Sequence, residues 1–227
     1  MASPASVGTA CSSRCAERLP DFLLPLRPFP PVHWWCASLA EGACLDIGEH
    51  YPKRTFRNRL VLATASGPAS LTIPVERRGS MPRPQVDTLR VVSNADKLWR
   101  AVQTAYGAAP YFEEMAPELE VLFRRGPKSL GEWNLETLRW SAEWLQCKVP
   151  PFREAASVDR SGFSHEANDV MWKAKAAIAL QPWPHIWTGR SGLDFGELSV
   201  MDLLLHCGPE ASRWITPLRP NGSLRPE

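Results

Sequence analysis

The hydrophobic period of the chain changes once, near Ala95, and that change limits the folds open to it. Before this point apolar residues come in short β-branched runs. Leu60-Val-Leu-Ala-Thr64 and Ser70-Leu-Thr-Ile-Pro-Val75 are joined by Ser66-Gly67-Pro68, a hairpin signal. After it they recur at helical spacing: Trp99, Val102 and Tyr106 fall at i, i+3 and i+7. Strands first and helices after, without sustained alternation, predict an α+β fold. The N-terminal half should be mainly β, a small sheet with a hairpin, and the C-terminal half mainly helical, around a single core.

Further elements follow from local signals. Arg27-Pro-Phe-Pro-Pro-Val-His-Trp-Trp35 is a stiff extended lead-in, because each proline biases the preceding residue away from helix. A short helix carrying Trp34, Trp35 and Leu39 is expected beneath it, then a strand over Ala43–Ile47. Pro74 cannot donate to a ladder and should mark an edge. Another strand is expected over Gln85–Val92. Helices should begin near Ala95 and near Pro110-Tyr-Phe112. Another should follow Ser129-Leu-Gly-Glu132, which has capping-box spacing. A segment with Val170, Met171 and Ala174, and a short apolar stretch over Leu198–His206 stopped by Gly208-Pro209, complete the set.

Composition narrows the class. With 227 residues, 44% apolar and 22% charged, the chain can bury a full core as one domain. The 22 prolines are about twice the usual share of roughly 5%. No apolar run reaches the ~18 residues that a spanning helix needs, so no membrane insertion is expected. Met1–Pro20 has no apolar signal-like core. Residues 1–20 and 218–227 read as loose tails around a domain at 21–217. Six scattered cysteines, with only Cys11 and Cys15 close together, suit reduced thiols in a cytoplasmic protein better than a disulfide framework or a zinc site. No metal or cofactor is expected.

Charge is segregated. Residues 51–90 hold eight basic and two acidic side chains, so the segment carries +6 and the remainder −4. Within it, alternation along Tyr51-Pro-Lys-Arg-Thr-Phe-Arg-Asn-Arg59 would place Lys53, Arg57 and Arg59 on one face of an extended segment. Converging guanidinium groups seat phosphate or carboxylate well. A solvated, charged sheet edge is the plainer reading of the same pattern. The near-neutral total argues against a nucleic-acid partner.

Three motifs in order carry a family resemblance. Tyr51-x-Lys53…Arg57-Asn58-Arg59 followed by Gly67-Pro-x-x-Leu-Thr-Ile-Pro-Val75 is the first. The second is Trp99-Arg…Tyr106-Gly-x-x-Pro110-Tyr-Phe112, and the third Leu198-Ser-Val-Met-Asp202-Leu-Leu-Leu-x-x-Gly208-Pro209. Over roughly Phe29 to Ile215 the chain resembles the WbqC-like family. The resemblance implies a bacterial, cytoplasmic protein of O-antigen or other surface-polysaccharide biosynthesis, with a suggested glycine transferase role. It points to Tyr51, Lys53, Arg57, Asn58, Arg59, Tyr106, Ser199 and Asp202. The chain departs from the family pattern at Leu98, where His is common, and near His185 and Glu197.

Aminoacyl or acyl transfer to a sugar amine needs a base for the amine and donors for the developing oxyanion. His50 beside Glu49, His185 between Trp183 and Trp187, and Asp202 are the candidates for this chemistry. Tyr51, Lys53, Arg57, Asn58, Arg59, Tyr106 and Ser199 are candidates for binding the substrate. Each has a plainer reading. His50 would be a surface histidine and His185 a satisfied core one. Tyr106 would be core, and Asp202 would join Ser199 in capping its helix or pair with Arg57 or Arg59. No phosphate-cradling glycine loop or nucleophile elbow is present. The expected partner is a small anionic or sugar-linked substrate, with other polysaccharide-biosynthesis enzymes as associates. The alternative function is a non-catalytic binding protein for an anionic glycan precursor or a partner enzyme.

Overall fold

The computed structural model describes residues 23–40, 43–47, 56–76, 91, 94–125, 129–153, 180–187, 189 and 192–217. The expected strand at 85–92 (save Val91), the helical segment around 170–174, Cys11, Cys15 and both tails lie outside them.

The fold is α+β, with its small sheets in the N-terminal region and most helix in the C-terminal half. Strand β1 (Leu23–Pro25), helix α1 (Val32–Ser38) and strand β2 (Cys44–Asp46) form a parallel crossover unit. Strand β5 (Phe152–Arg153) joins the other edge of β2, also parallel, giving the order β1-β2-β5. All three residues of the central strand β2 are buried, and this is the strand expected at 43–47. The flanking strands have three and two residues, too short to show an alternation in sequence.

A second sheet is the expected hairpin, β3 (Arg59–Thr64) with β4 (Gly67–Thr72), antiparallel. The turn is Ala65-Ser66, one residue earlier than the Gly-Pro pair suggests. Gly67 starts the return strand at φ 111°, a backbone that side chains rarely adopt. Pro68, with no N–H to give, lies opposite Ala63. The Ala63 N–H turns outward from the pair and donates to Tyr106 Oη (3.0 Å). Beyond β4, Val75 makes an isolated bridge with Val91.

Helices α2 (Ala95–Tyr106), α3 (Phe112–Arg124) and α4 (Leu130–Trp144) follow. Ser129 Oγ caps α4 by accepting from Glu132 N (3.1 Å). Helix α5 (Val200–Cys207) is buried at every residue. Its apolar sequence, too uniform to show one face, therefore fits the centre of the molecule. A 3-10 turn over Gly208–Trp214 succeeds it. One hydrophobic cluster unites β1, α1, the hairpin and all five helices. Phe29 sits inside it, stacked on Phe123 (5.6 Å) and edge-on to Trp133 and Trp140 (6.0 and 5.7 Å). Among the described residues no helix is long and apolar enough to cross a membrane.

Candidate functional site

Strand β3 has one edge paired with β4 and one edge open, and unpaired backbone groups there need partners. Two of the sequence candidates supply them. Ser199 N donates to Val61 O (2.9 Å), and the Tyr106 hydroxyl takes the Ala63 N–H. Ser199 also caps α5, its Oγ accepting from Met201 N (3.3 Å) and donating to Phe29 O (3.1 Å). Ser199 thus fixes where α5 begins. That position sends Asp202, one turn on, into the interior.

Asp202 does not cap the helix, and its carboxylate bonds a tryptophan and a histidine. Its carboxylate, 0% exposed, accepts from Trp183 Nε1 (3.0 Å) and His185 Nε2 (3.0 and 3.1 Å). The Tyr106 hydroxyl, whose oxygen accepts from the Ala63 N–H, lies within the influence of the same carboxylate. A buried charge is tolerated when its lone pairs are filled. Burial alone would push the Asp202 carboxyl up, but hydrogen bonds from His185 and His206 outweigh that and hold it below the usual range. Burial, and then the Asp202 charge, push the Tyr106 phenol well above its ordinary value.

The two imidazoles have defined tautomers. His185 Nδ1 accepts from the Trp187 backbone N–H (2.9 Å), so its proton sits on Nε2, facing Asp202. His206 Nδ1 lies 2.7 Å from Asp202 O, a carbonyl that only accepts, so its proton sits on Nδ1. In the neutral ring the lone pair of His206 then lies on Nε2, and that atom has no hydrogen-bond partner among the described residues. The rings stack with centroids 4.0 Å apart and 22° between planes.

His185, Asp202 and His206 bring potential ligand atoms within 4.8 Å of one another. Their geometry does not suit a metal ion. Metal-bound histidine usually donates its second ring nitrogen, whereas His185 Nδ1 accepts there. Stacked rings also send their lone pairs in parallel rather than to one point. What the cluster offers is a carboxylate that orders its neighbours and one buried imidazole nitrogen without a hydrogen-bond partner among the described residues.

The basic segment departs from the expected geometry. Phe56–Asn58 form a 3-10 turn rather than extended strand. Arg57 is buried and Arg59, at the start of β3, is exposed, so the two do not share a face. The cause is local. Asn58 continues the hairpin, its O accepting from Ile73 N (2.7 Å) and its Nδ2 donating to Ile73 O (2.8 Å). Asn134 of α4 donates to Arg57 O (2.9 Å) and to Leu26 O (3.4 Å), drawing the turn against the end of β1. Arg27 stands over the Phe56 ring, 4.9 Å from its centroid. Glu49, His50, Tyr51 and Lys53 lie outside the described residues.

Sequence reasoning missed Trp183, His206, Arg27 and His33. For His206 a signal existed, since it follows Asp202 by one helical turn on an apolar element. His33 is buried near Arg27, its Nδ1 bonded to Gly196 O; burial, and then the Arg27 charge, push it down to about 4.

Comparison with known proteins matches residues 45–179 to the model of the WbqC-like protein family, more than half of the chain. The match includes Tyr106 and the basic segment and ends before His185, Ser199 and Asp202. No curated protein and no solved structure matches.

Proposed function

The chain belongs to the WbqC-like protein family, and we propose that it is an aminoacyl- or acyltransferase, with glycine the leading acyl group, in O-antigen or other surface-polysaccharide biosynthesis. It would work in the cytoplasm, beside other enzymes of that assembly. The acceptor is the amine of a nucleotide-linked amino sugar, and the donor an activated ester or thioester. The observation that carries this reading is the buried Asp202 carboxylate, which orders Trp183 and His185 around itself. Acylation of an amine asks for little beyond a placed proton acceptor and donors for the oxyanion, and a positioned base contributes roughly 10²–10⁴-fold.

In this reading the segment with Tyr51, Lys53 and the exposed Arg59 receives the phosphates, Arg57 and Asn58 shaping the turn that presents it, and His50 with Glu49 stands at the head of that segment as a candidate base. The turn at 56–58 leads directly into β3, whose open edge carries Ser199 and Tyr106, so the two regions share a strand. The test is incubation of purified protein with UDP-glucosamine and, in turn, glycyl-tRNA or acetyl-CoA, with the sugar nucleotide read by mass spectrometry. An acylated product supports the transferase. Tight binding of the nucleotide sugar with no product across all donors would favour the alternative, a non-catalytic binding protein. The near-complete burial of the Asp202 and His185 side chains (0% and 1% exposed) is the observation on that side.

A further inference from the structure

We propose that His206, through Nε2, is the group that contacts the acceptor amine and takes its proton. The inference rests on the transferase reading for its chemistry, and on three structural observations for its choice of residue. First, Nε2 is buried in a side chain 1% exposed and has no hydrogen-bond partner among the described residues. A buried polar atom left unpartnered is destabilising, so a partner arriving there recovers that cost. Second, Nδ1–H is committed to Asp202 O (2.7 Å), with Asp202 Oδ1 3.5 Å away, so in the neutral ring the lone pair lies on Nε2. Third, His185 cannot serve, since Trp187 N–H occupies its Nδ1 and Asp202 its Nε2. His185 is a positioning residue: it stacks on His206 at 4.0 Å and holds Asp202.

The ligand chemistry follows from the atom. A bare imidazole lone pair selects a compact donor, such as an amine, over a carbonyl or phosphate oxygen. In the transfer, the amine nitrogen forms a bond to the donor's carbonyl carbon and gives one proton to Nε2. The carbon–oxygen or carbon–sulfur bond of the activated donor breaks, its electron pair leaves with the leaving group, and Nε2–H returns the proton to that group. Residues 180–187, which carry the stacked His185, contain no helix or strand. The cover over His206 is thus held by side chains rather than by a backbone ladder, and must yield when the amine enters.

The test uses the full chain with UDP-glucosamine, which has a free amine, and UDP-N-acetylglucosamine, in which that amine is blocked. Long-range ¹⁵N imidazole spectra of the unsubstituted protein should show His206 with an unprotonated Nε2. That resonance should move with UDP-glucosamine and stay with the blocked sugar. In titration calorimetry His206→Gln should erase the preference for the free amine while keeping nucleotide binding. It should also slow acyl transfer on the order of a hundredfold, and imidazole added to His206→Ala should restore part of the rate. A proton on Nε2 in the free protein, or an Nε2 signal indifferent to the amine, overturns the proposal even if the variants fail to fold. Transfer that survives His206→Gln removes His206 and leaves the transferase. An Nε2 that responds to the amine in a protein that transfers nothing removes the transferase and leaves the contact. Binding of neither nucleotide removes both.

Discussion

His185 Nε2–H bridges both oxygens of Asp202 (3.1 and 3.0 Å), and that makes the charge testable. In Asp202→Asn one oxygen becomes an amino group, so either His185 Nε2–H or Trp183 Nε1–H is brought against another donor. A buried group left unpaired costs about 1–3 kcal/mol, and urea unfolding should show a loss of about 2 kcal/mol; a neutral substitution would mean that the network is slack. The pH dependence has a definite sign. The folded carboxyl is held below its usual 3.8, so its contribution is present above that pH and lost as pH falls through the folded value. His33 acts over a higher window. Its folded value is about 4 against an ordinary 6.5, so between those limits the unfolded chain binds a proton that the folded one refuses. Stability should fall by about 3 kcal/mol from pH 6.5 to pH 4, at roughly 1.36 kcal/mol per pH unit. His33→Gln should flatten that slope in paired urea titrations, and an unchanged slope would assign it to other groups. At this scale the sequence was partly legible. Ser199, Tyr106, Asp202 and His185 stood out because polar residues in apolar runs need partners. Trp183 and His33 did not, because their partners lie far along the chain, at Asp202 and Gly196.

At the scale of elements, periodic segments were legible and short or side-chain-clamped ones were not. Helices α2 to α4 and the hairpin follow the apolar spacing, since each buries a face of its own, while α1, β2 and α5 are short apolar runs buried throughout. Strands β1 and β5 exist only as partners of β2. The turn at 56–58 depends on Asn134, 77 residues from Arg57, which local alternation cannot foresee. The end of α5 is a similar junction, although its glycine was readable. Gly208 sits at φ 53°, and a Cβ there would lie 2.5 Å from the ring of Tyr111, a residue whose backbone N–H donates to Leu205 O (3.0 Å). Gly208→Ala therefore combines left-handed backbone with overpacking, each costing on the order of 1–3 kcal/mol. Thermal melts should show a loss of at least about 2 kcal/mol. The double variant with Tyr111→Ala should recover the packing part but not the backbone part, so the two substitutions should be less than additive. Strict additivity would place the whole cost in the backbone.

On the scale of the molecule, the family match and the core do not have the same limits. Helices α1 and α5 lie outside the matched residues 45–179, yet their side chains belong to the same hydrophobic cluster as those of α2, α3 and α4. A single core predicts that the two ends of the described chain unfold together, and buried thiols report on it. Cys36 of α1 and Cys207, the last residue of α5, are thiols, and burial is the leading cause that pushes them up to about 11 and about 12. Thiolate is the reactive form, so in the folded state both should be nearly inert to an aromatic disulfide reagent. Labelling should then require opening, and in one cooperative unit both sites share the global opening free energy, on the order of 5–15 kcal/mol. The experiment is labelling in low urea, with each cysteine followed by peptide mass spectrometry. Cys36 and Cys207 should give equal opening free energies and equal urea slopes, because the slope measures the surface exposed. Cys147 is only partly buried; burial pushes its thiol up to about 11 as well, so it should label slowly but with little urea slope and provide the internal control. A smaller opening free energy and a shallower slope at Cys36 would show α1 leaving while α5 stays packed, and the one-core reading would then give way to two separately stable units.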